Sequence, residues 1–303
     1  MAQHVTINEV GPRDGLQNQP KVLSTDDKLK LIDALLAAGI RHIEATSFSS
    51  PALVPQMADA ADLCARLPDT DSVHYSALVP NLRGYERARN AGVRSIGVVL
   101  SCTESMNQRN IRMGLDQAVQ VCDEVIRRAT ADGIEARAYL AVAFVCPFEG
   151  RVDPQVVQDL AARMFDAGAN ELIVADTIGA ADPVHVGRLF DALALQHRPE
   201  RLSGHFHDTQ GQALANCFAA YERGVLKFDA AIGGLGGCPF APGAAGNVAT
   251  EDLVNMFNSA GLHTGIDLEM LAAAVTVAET SLGRELGGRW MSYRRSRVPD
   301  GAR

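Results

Sequence analysis

Eight short β-rich runs alternate with longer amphipathic stretches across about 265 of the 303 residues, and that arithmetic predicts an α/β fold of the (β/α)8 TIM-barrel type. Two further observations agree. Several of the amphipathic stretches end in Ala-Gly or Asp-Gly before the next run, as helix-to-strand connections prefer. No Gly-rich fingerprint follows the first run, so a doubly wound open sheet has no support. No Pro/Ser/Gly linker or shift in composition divides the chain. The expectation is one catalytic barrel, residues 1–285, with an extra C-terminal helix and a basic tail, 286–303.

The elements follow in order. "HVTINEV" is the first strand, and "STDDKLKLIDALLAAG" the first helix, opening on a Ser/Thr/Asp cap and closing on Gly39. "HIEATSF", "VHYSALV" and "SIGVVL" are the second, third and fourth strands. The helix "LDQAVQVCDEVIRRATADG" leads to the fifth, "EARAYLAVAF", and "VVQDLAARMFDAGA" to the sixth, "ELIVADT". "RLSGHFH" and "KFDAAIGG" complete the eight. The helix "DLEMLAAAVTVAETSLG" comes after the last unit, as an appendix to the same domain.

Composition narrows the function classes. A hydrophobic content of 47% and a charged content of 21% match a globular chain with a large core. The net charge of −8 and pI near 5.5 argue against nucleic-acid binding, since no basic stripe runs through the body of the chain. Any anionic ligand would be drawn in by local arginines. The one dense basic run, from Arg284 to Arg297, is either a solvated tail or a contact for an anionic ligand or partner. Six cysteines without CxxC spacing disfavour zinc knuckles and disulfide frameworks. No signal peptide and no membrane span are expected, which points to a reducing cytoplasm.

In a barrel, function sits at the C-terminal ends of the strands. "GHFHDTQGQ" places His205 and His207 at the end of the seventh, where residues i and i+2 share a face. They are either two hydrogen-bonded core histidines or a pair of metal ligands. The eighth strand closes beside the first, which ends in "EVGPRDGLQNQ", with Arg13 and Asp14 adjacent. These two form either a surface ion pair or part of the site that the histidines face. After the eighth strand, "GGLGGCPFAPGAAGNVATED" holds six glycines in fourteen residues, together with Cys238 and Asn247. A loop so rich in glycine suits unusual dihedrals and lid movement. Asn247 is either a helix cap or an amide oxygen for a metal. Asp14, His205, His207 and Asn247 together offer two nitrogens and two oxygens, a set that suits Mg²⁺ or Mn²⁺. Glu44 and Asp176 bring two more acids to the same rim.

"EVGPRDGLQN", "IEATSFSSPALVPQMAD", "ADTIGAADP", "HFHDTQGQALAN" and "GLGGCPFAPGAAGNVATEDL" together resemble the 3-hydroxy-3-methylglutaryl-CoA lyase family, from about residue 4 to residue 285. The resemblance implies metal ligands Asp14, His205, His207 and Asn247. It also implies an enolate-stabilising Arg13, catalytic or supporting acids Glu44 and Asp176, and a substrate-side Gln17. His205 and Cys238 are candidate proton donors, Cys238 lies on a mobile lid, and Glu251 orients Asn247. The implied reaction is divalent-metal-dependent retro-Claisen cleavage of an acyl-CoA thioester. The alternatives are a lyase for a longer 3-hydroxy-3-alkylglutaryl-CoA, or a related acyl-CoA/2-oxo acid condensing synthase. A homodimer or higher homo-oligomer is expected.

Overall fold

The computed structural model describes residues 3–68, 72–237 and 246–297. β1 (Thr6–Glu9) leads to α1 (Thr25–Ala37), which Ser24 caps by accepting the Asp27 N–H and which ends before Gly39 at φ +99°. The unit repeats through β2 (His42–Ser47), α2 (Ala60–Arg66), β3 (His74–Leu78), α3 (Leu82–Asn90) and β4 (Ser95–Ser101). An additional short helix, α4 (Glu104–Ile111), precedes α5 (Leu115–Ala131), and β5 (Glu135–Ala141) follows. A small hairpin comes next, β6 (Val145–Cys146) with β7 (Gly150–Arg151), before α6 (Pro154–Ala167) and β8 (Glu171–Asp176). The ring is completed by α7 (Pro183–Ala194), β9 (Leu202–Phe206), α8 (Ala213–Tyr221) and β10 (Lys227–Ala230). Three helices end the chain: α9 (Thr250–Ser259), α10 (Leu268–Leu282) and α11 (Arg289–Ser296).

The eight strands read from the sequence form a closed barrel in the order β1-β10-β9-β8-β5-β4-β3-β2, with parallel pairing between neighbours. Closure sets β10 against β1, so that Asp229 pairs with Asn8 and Ala230 with Glu9. Among the described residues no helix is long and apolar enough to cross a membrane.

One strand is shorter than its sequence suggests. The fifth run reads as continuous to Phe144, yet β5 stops at Ala141 because Val142 takes φ +49°. A β-branched residue pays a steric cost in that region. The Thr177 hydroxyl, accepting the Val142 N–H at 2.8 Å, holds the turn that sends the chain into the β6–β7 hairpin.

The basic C-terminal run is largely folded against the barrel. Asp252, in the first turn of α9, accepts the N–H groups of Arg289 and Trp290 at 2.8 and 2.7 Å and so caps α11 from outside it. Glu251 accepts the Gly288 N–H at 2.8 Å, and Met291 and Leu286 are buried. Arg294 pairs with Glu269, and Arg295 with Glu279 and Glu285. Losing a side chain that satisfies the first N–H groups of a helix costs about 1–2 kcal/mol. Asp252→Ala is therefore expected to lower the melting temperature and to speed proteolysis after Arg289, read by mass spectrometry of the released fragments.

Candidate active site

The end of β1 does not simply become a loop. The Val10 carbonyl accepts the N–H groups of Arg13, Asp14 and Gly15 at 3.1, 2.7 and 3.1 Å, which winds Gly11–Gly15 into one π-helical turn. This turn directs Arg13 inward, where it is buried at 6% exposure. Its Nε donates to Glu44 Oε2 at 2.6 Å and its Nη1 to Asp14 Oδ1 at 2.7 Å. Burial alone would weaken the guanidinium charge, but Glu44 and Asp14 outweigh it and hold Arg13 charged. The Arg13–Asp14 pair is thus a buried junction, not a surface ion pair.

His205 is the penultimate residue of β9 and His207 lies just beyond the strand, with ring centroids 5.2 Å apart. Residues after the glycine-rich loop return alongside them: Asn247 forms an antiparallel bridge with His207, and the Val248 N–H donates to the Phe206 carbonyl at 2.9 Å. Ligand atoms of Asp14, His205 and His207 all lie within 4.8 Å of one another. Asn247 Nδ2 donates to Asp14 Oδ2 at 2.8 Å and to the Leu235 carbonyl at 3.0 Å. Its buried Oδ1 has no partner among the described residues. A carboxylate, two imidazoles and an orphaned amide oxygen, each with a free lone pair, are a donor set that fits a divalent cation.

The protonation states also suit a cation. Burial would raise Asp14, but Arg13, His205, His207 and the Asn247 amide hold it down to about 2. Burial lowers His207 to about 4, with His205 beside it adding to the effect. Asp14 is therefore ionised and His207 neutral at neutral pH, as metal ligands must be. His205 moves the other way: burial lowers it, and Asp229, 3.0 Å from Nδ1, more than compensates. That contact occupies Nδ1 and leaves Nε2 for the site. Asp229 is itself held by Asn8 Nδ2 at 2.7 Å and lies 3.7 Å from Arg137, which donates to Glu171 at 3.0 Å.

The remaining expected residues divide. Glu44 is fully buried against Arg13, its Oε1 has no partner among the described residues, and burial raises its carboxyl despite Arg13. Gln17 has a buried Oε1 that also lacks a partner among the described residues. Asp176 instead spends both oxygens on the N–H groups of Ala180 and Ala181, at 3.0 Å each, and holds the turn after β8. Asn247 is not a helix cap, since α9 starts after Ala249. Glu251 shows no hydrogen bond to Asn247 among the described residues: it accepts the N–H groups of Gly233 and Gly288 and ties the turn before the loop to the C-terminal segment. Cys238 lies outside the described residues.

Several buried polar residues were not singled out from the sequence, among them Glu9, Arg137, Tyr139 and Asp229. Tyr139 stands edge-on to His205, with centroids 6.2 Å apart, and its buried hydroxyl has no partner among the described residues. Burial pushes that phenol well above its usual range, and Asp229 and Glu44 push it further. A signal was present. "EARAYLA" and "KFDA" put polar residues on alternate positions of strands that a barrel buries on both faces.

Residues 4–277 match the family model described as HMGL-like. The hydroxymethylglutaryl-CoA lyase of Pseudomonas mevalonii is 43% identical over 281 residues, which is 93% of each chain. The 3-hydroxy-3-isohexenylglutaryl-CoA/hydroxymethylglutaryl-CoA lyase of Pseudomonas aeruginosa is 40% identical over 289 residues, 95% of this chain and 96% of that one. Among solved structures, an HMG-CoA lyase from Acinetobacter baumannii in complex with coenzyme A and 3-methylmalate superposes with a TM-score of 0.92 at 38% identity, covering 98% of this chain and 96% of that chain. With the barrel, the site at its rim and the sequence in agreement over nearly its whole length, the chain belongs to the HMGL-like family.

Proposed function

We propose that this protein is a carbon–carbon lyase that cleaves 3-hydroxy-3-methylglutaryl-CoA to acetyl-CoA and acetoacetate. The observation that carries this reading is the convergence of Asp14, His205 and His207 within 4.8 Å, beside a buried, charged Arg13. Asp14, His205, His207 and Asn247 would hold one divalent cation, Mg²⁺ or Mn²⁺. Bound there, it would polarise the C3 hydroxyl and fix the orientation of the substrate.

The chain's own groups supply the rest. The C3 hydroxyl gives its proton to Glu44 Oε1, a free lone pair on a carboxyl whose proton affinity burial raises. Asp14 is a poor base for that step, since its neighbours hold it near 2. The C3–O bond becomes a carbonyl, the C2–C3 bond breaks, and its electron pair moves onto the thioester oxygen as an enolate. Arg13 places a fixed positive charge for that oxygen, clamped by Glu44 and Asp14 so that it need not reorganise. One proton then reaches C2 to make the acetyl methyl group, and we assign this delivery to His205 or Cys238. The hydroxyl loses one proton and C2 gains one, so cleavage has no net proton demand. A lyase for a longer 3-hydroxy-3-alkylglutaryl-CoA is the second reading, favoured by the relative named for the isohexenyl substrate.

A panel of 3-hydroxy-3-alkylglutaryl-CoA thioesters, assayed for acetyl-CoA release with and without Mg²⁺ or Mn²⁺, tests both readings. Metal-dependent release is expected, fastest with the methyl substrate; fastest release with the isohexenyl thioester would select the second reading, and none with any thioester would refute both. Arg13→Lys keeps the charge but not the fork held by Glu44 and Asp14. It is expected to lower kcat by about 10²-fold or more with little change in KM, measured by initial rates. Asp229→Ala is expected to weaken Mn²⁺ binding by about 10–100-fold in calorimetric titration, because His205 loses the acceptor that fixes its ring.

A further inference from the structure

Glu9 is the last residue of β1, fully buried, and takes no part in the reaction as written above. Its Oε1 accepts the N–H of Gly11 at 2.7 Å and the N–H of Ile232 at 2.8 Å. Its Oε2 lies 2.7 Å from the Thr250 hydroxyl. These three partners belong to three different segments at the seam where the barrel closes. Gly11 opens the π-turn that carries Arg13 and Asp14, Ile232 lies in the turn after β10 that enters the glycine-rich loop, and Thr250 begins α9 three residues after Asn247. We propose that Glu9 is a positioning residue whose buried carboxyl group staples these three segments together and thereby sets Asp14 and Asn247 at the spacing that holds a cation.

Three donors converge on the carboxyl group: one oxygen accepts two backbone N–H groups, and the other accepts the Thr250 hydroxyl. Burial raises the Glu9 carboxyl to about 7, and the three hydrogen bonds offset only part of that. Its one charged neighbour among the described residues, Glu251 on α9, pushes the same way; the π-turn and the turn after β10 meet it with backbone N–H groups. Space around the staple is fixed as well. A Cβ on Gly11 would fall 2.5 Å from Glu9 Oε1 and 3.0 Å from Ile232 Cγ2, so only glycine lets the π-turn start this close.

The proposal rests on the cation-holding role of Asp14 and Asn247, not on the acyl substrate, and metal affinity separates the two. Mn²⁺ titration of the full-length protein by calorimetry is the primary readout. Glu9→Gln keeps both arms, its carbonyl for the N–H groups and its amide for Thr250, and is expected to bind Mn²⁺ within about threefold of the native protein. Glu9→Ala removes every arm and is expected to lose about tenfold or more, the range of losses seen when supporting groups around a metal are removed.

A second arm stands even if Glu9→Ala does not fold. An acid whose pKa is raised on folding stabilises the fold below its unfolded value and loses that contribution as pH rises through the folded value. The native melting temperature is therefore expected to fall relative to that of Glu9→Gln as pH rises from 4.5 to about 7. Native affinity in Glu9→Ala, or a glutamine variant as impaired as the alanine one, would overturn the staple. Parallel pH profiles for the native and glutamine proteins would overturn the raised proton affinity of its carboxyl group. Failure of the native protein to bind Mn²⁺ at all would refute the functional reading instead.

Discussion

The interior of this barrel carries charge where most barrels carry hydrocarbon, and each of those charges has to be paired to be buried there. Arg13 lies between Glu44 and Asp14, and Arg137 lies between Glu171 and Asp229. Burial by itself would raise Glu171, yet Arg137 and Lys227 outweigh it and hold the carboxyl near 2. In these two clusters, one at the β1–β2 side and one across β5, β8 and β10, Arg13, Asp14, Arg137 and Glu171 therefore keep their charge without bulk water. Removing one member would leave its partner as an unpaired buried charge, a loss of about 3–5 kcal/mol. The site is rigid for the same reason that it is charged.

Rigidity has a use at the rim. In the proposed reaction the enolate exists only for the lifetime of the transition state and intermediate, so a cation that must move to meet it would contribute little. Arg13 is already aimed, because the π-turn, Glu44 and Asp14 fix its guanidinium from three directions. His205 is treated in the same way through Asp229, which is why one ring nitrogen is committed and the other is free. His207 has no such partner: its Nδ1 is orphaned among the described residues, and its basicity is reduced by burial and by His205.

The seam between β1 and β10 ties fold to function. Barrel closure brings together segments far apart in sequence, and both carry residues proposed to hold the cation: Asp14 from the first unit and Asn247 from the segment after the last. A barrel that failed to close would lose the site outright, whereas damage to the outer helices would reach it only through packing. The C-terminal segment reinforces this seam from outside, since Glu251 links Gly233, at the start of the glycine-rich stretch, to Gly288 before α11.

Much of this was legible in the sequence because it is local. Alternating apolar runs, a serine cap before α1 and glycines after α1, α5 and α6 at positive φ need only neighbouring residues to be understood, and all eight strands were placed by them. His205 and His207 were legible too, as a period-two pattern at the end of a strand. What the sequence did not reveal is pairing across the barrel. That Glu44 clamps Arg13 and keeps a free oxygen, that Asp229 commits one nitrogen of His205, and that Glu9 reaches Ile232 and Thr250 all depend on contacts between residues 24 to 241 positions apart. The termination of β5 at Val142 belongs with them, because the threonine that holds it lies 35 residues away. Side-chain identity determines which groups are available to ionise or ligate; only the closed ring, by excluding water and choosing each group's partner, decides which of them do.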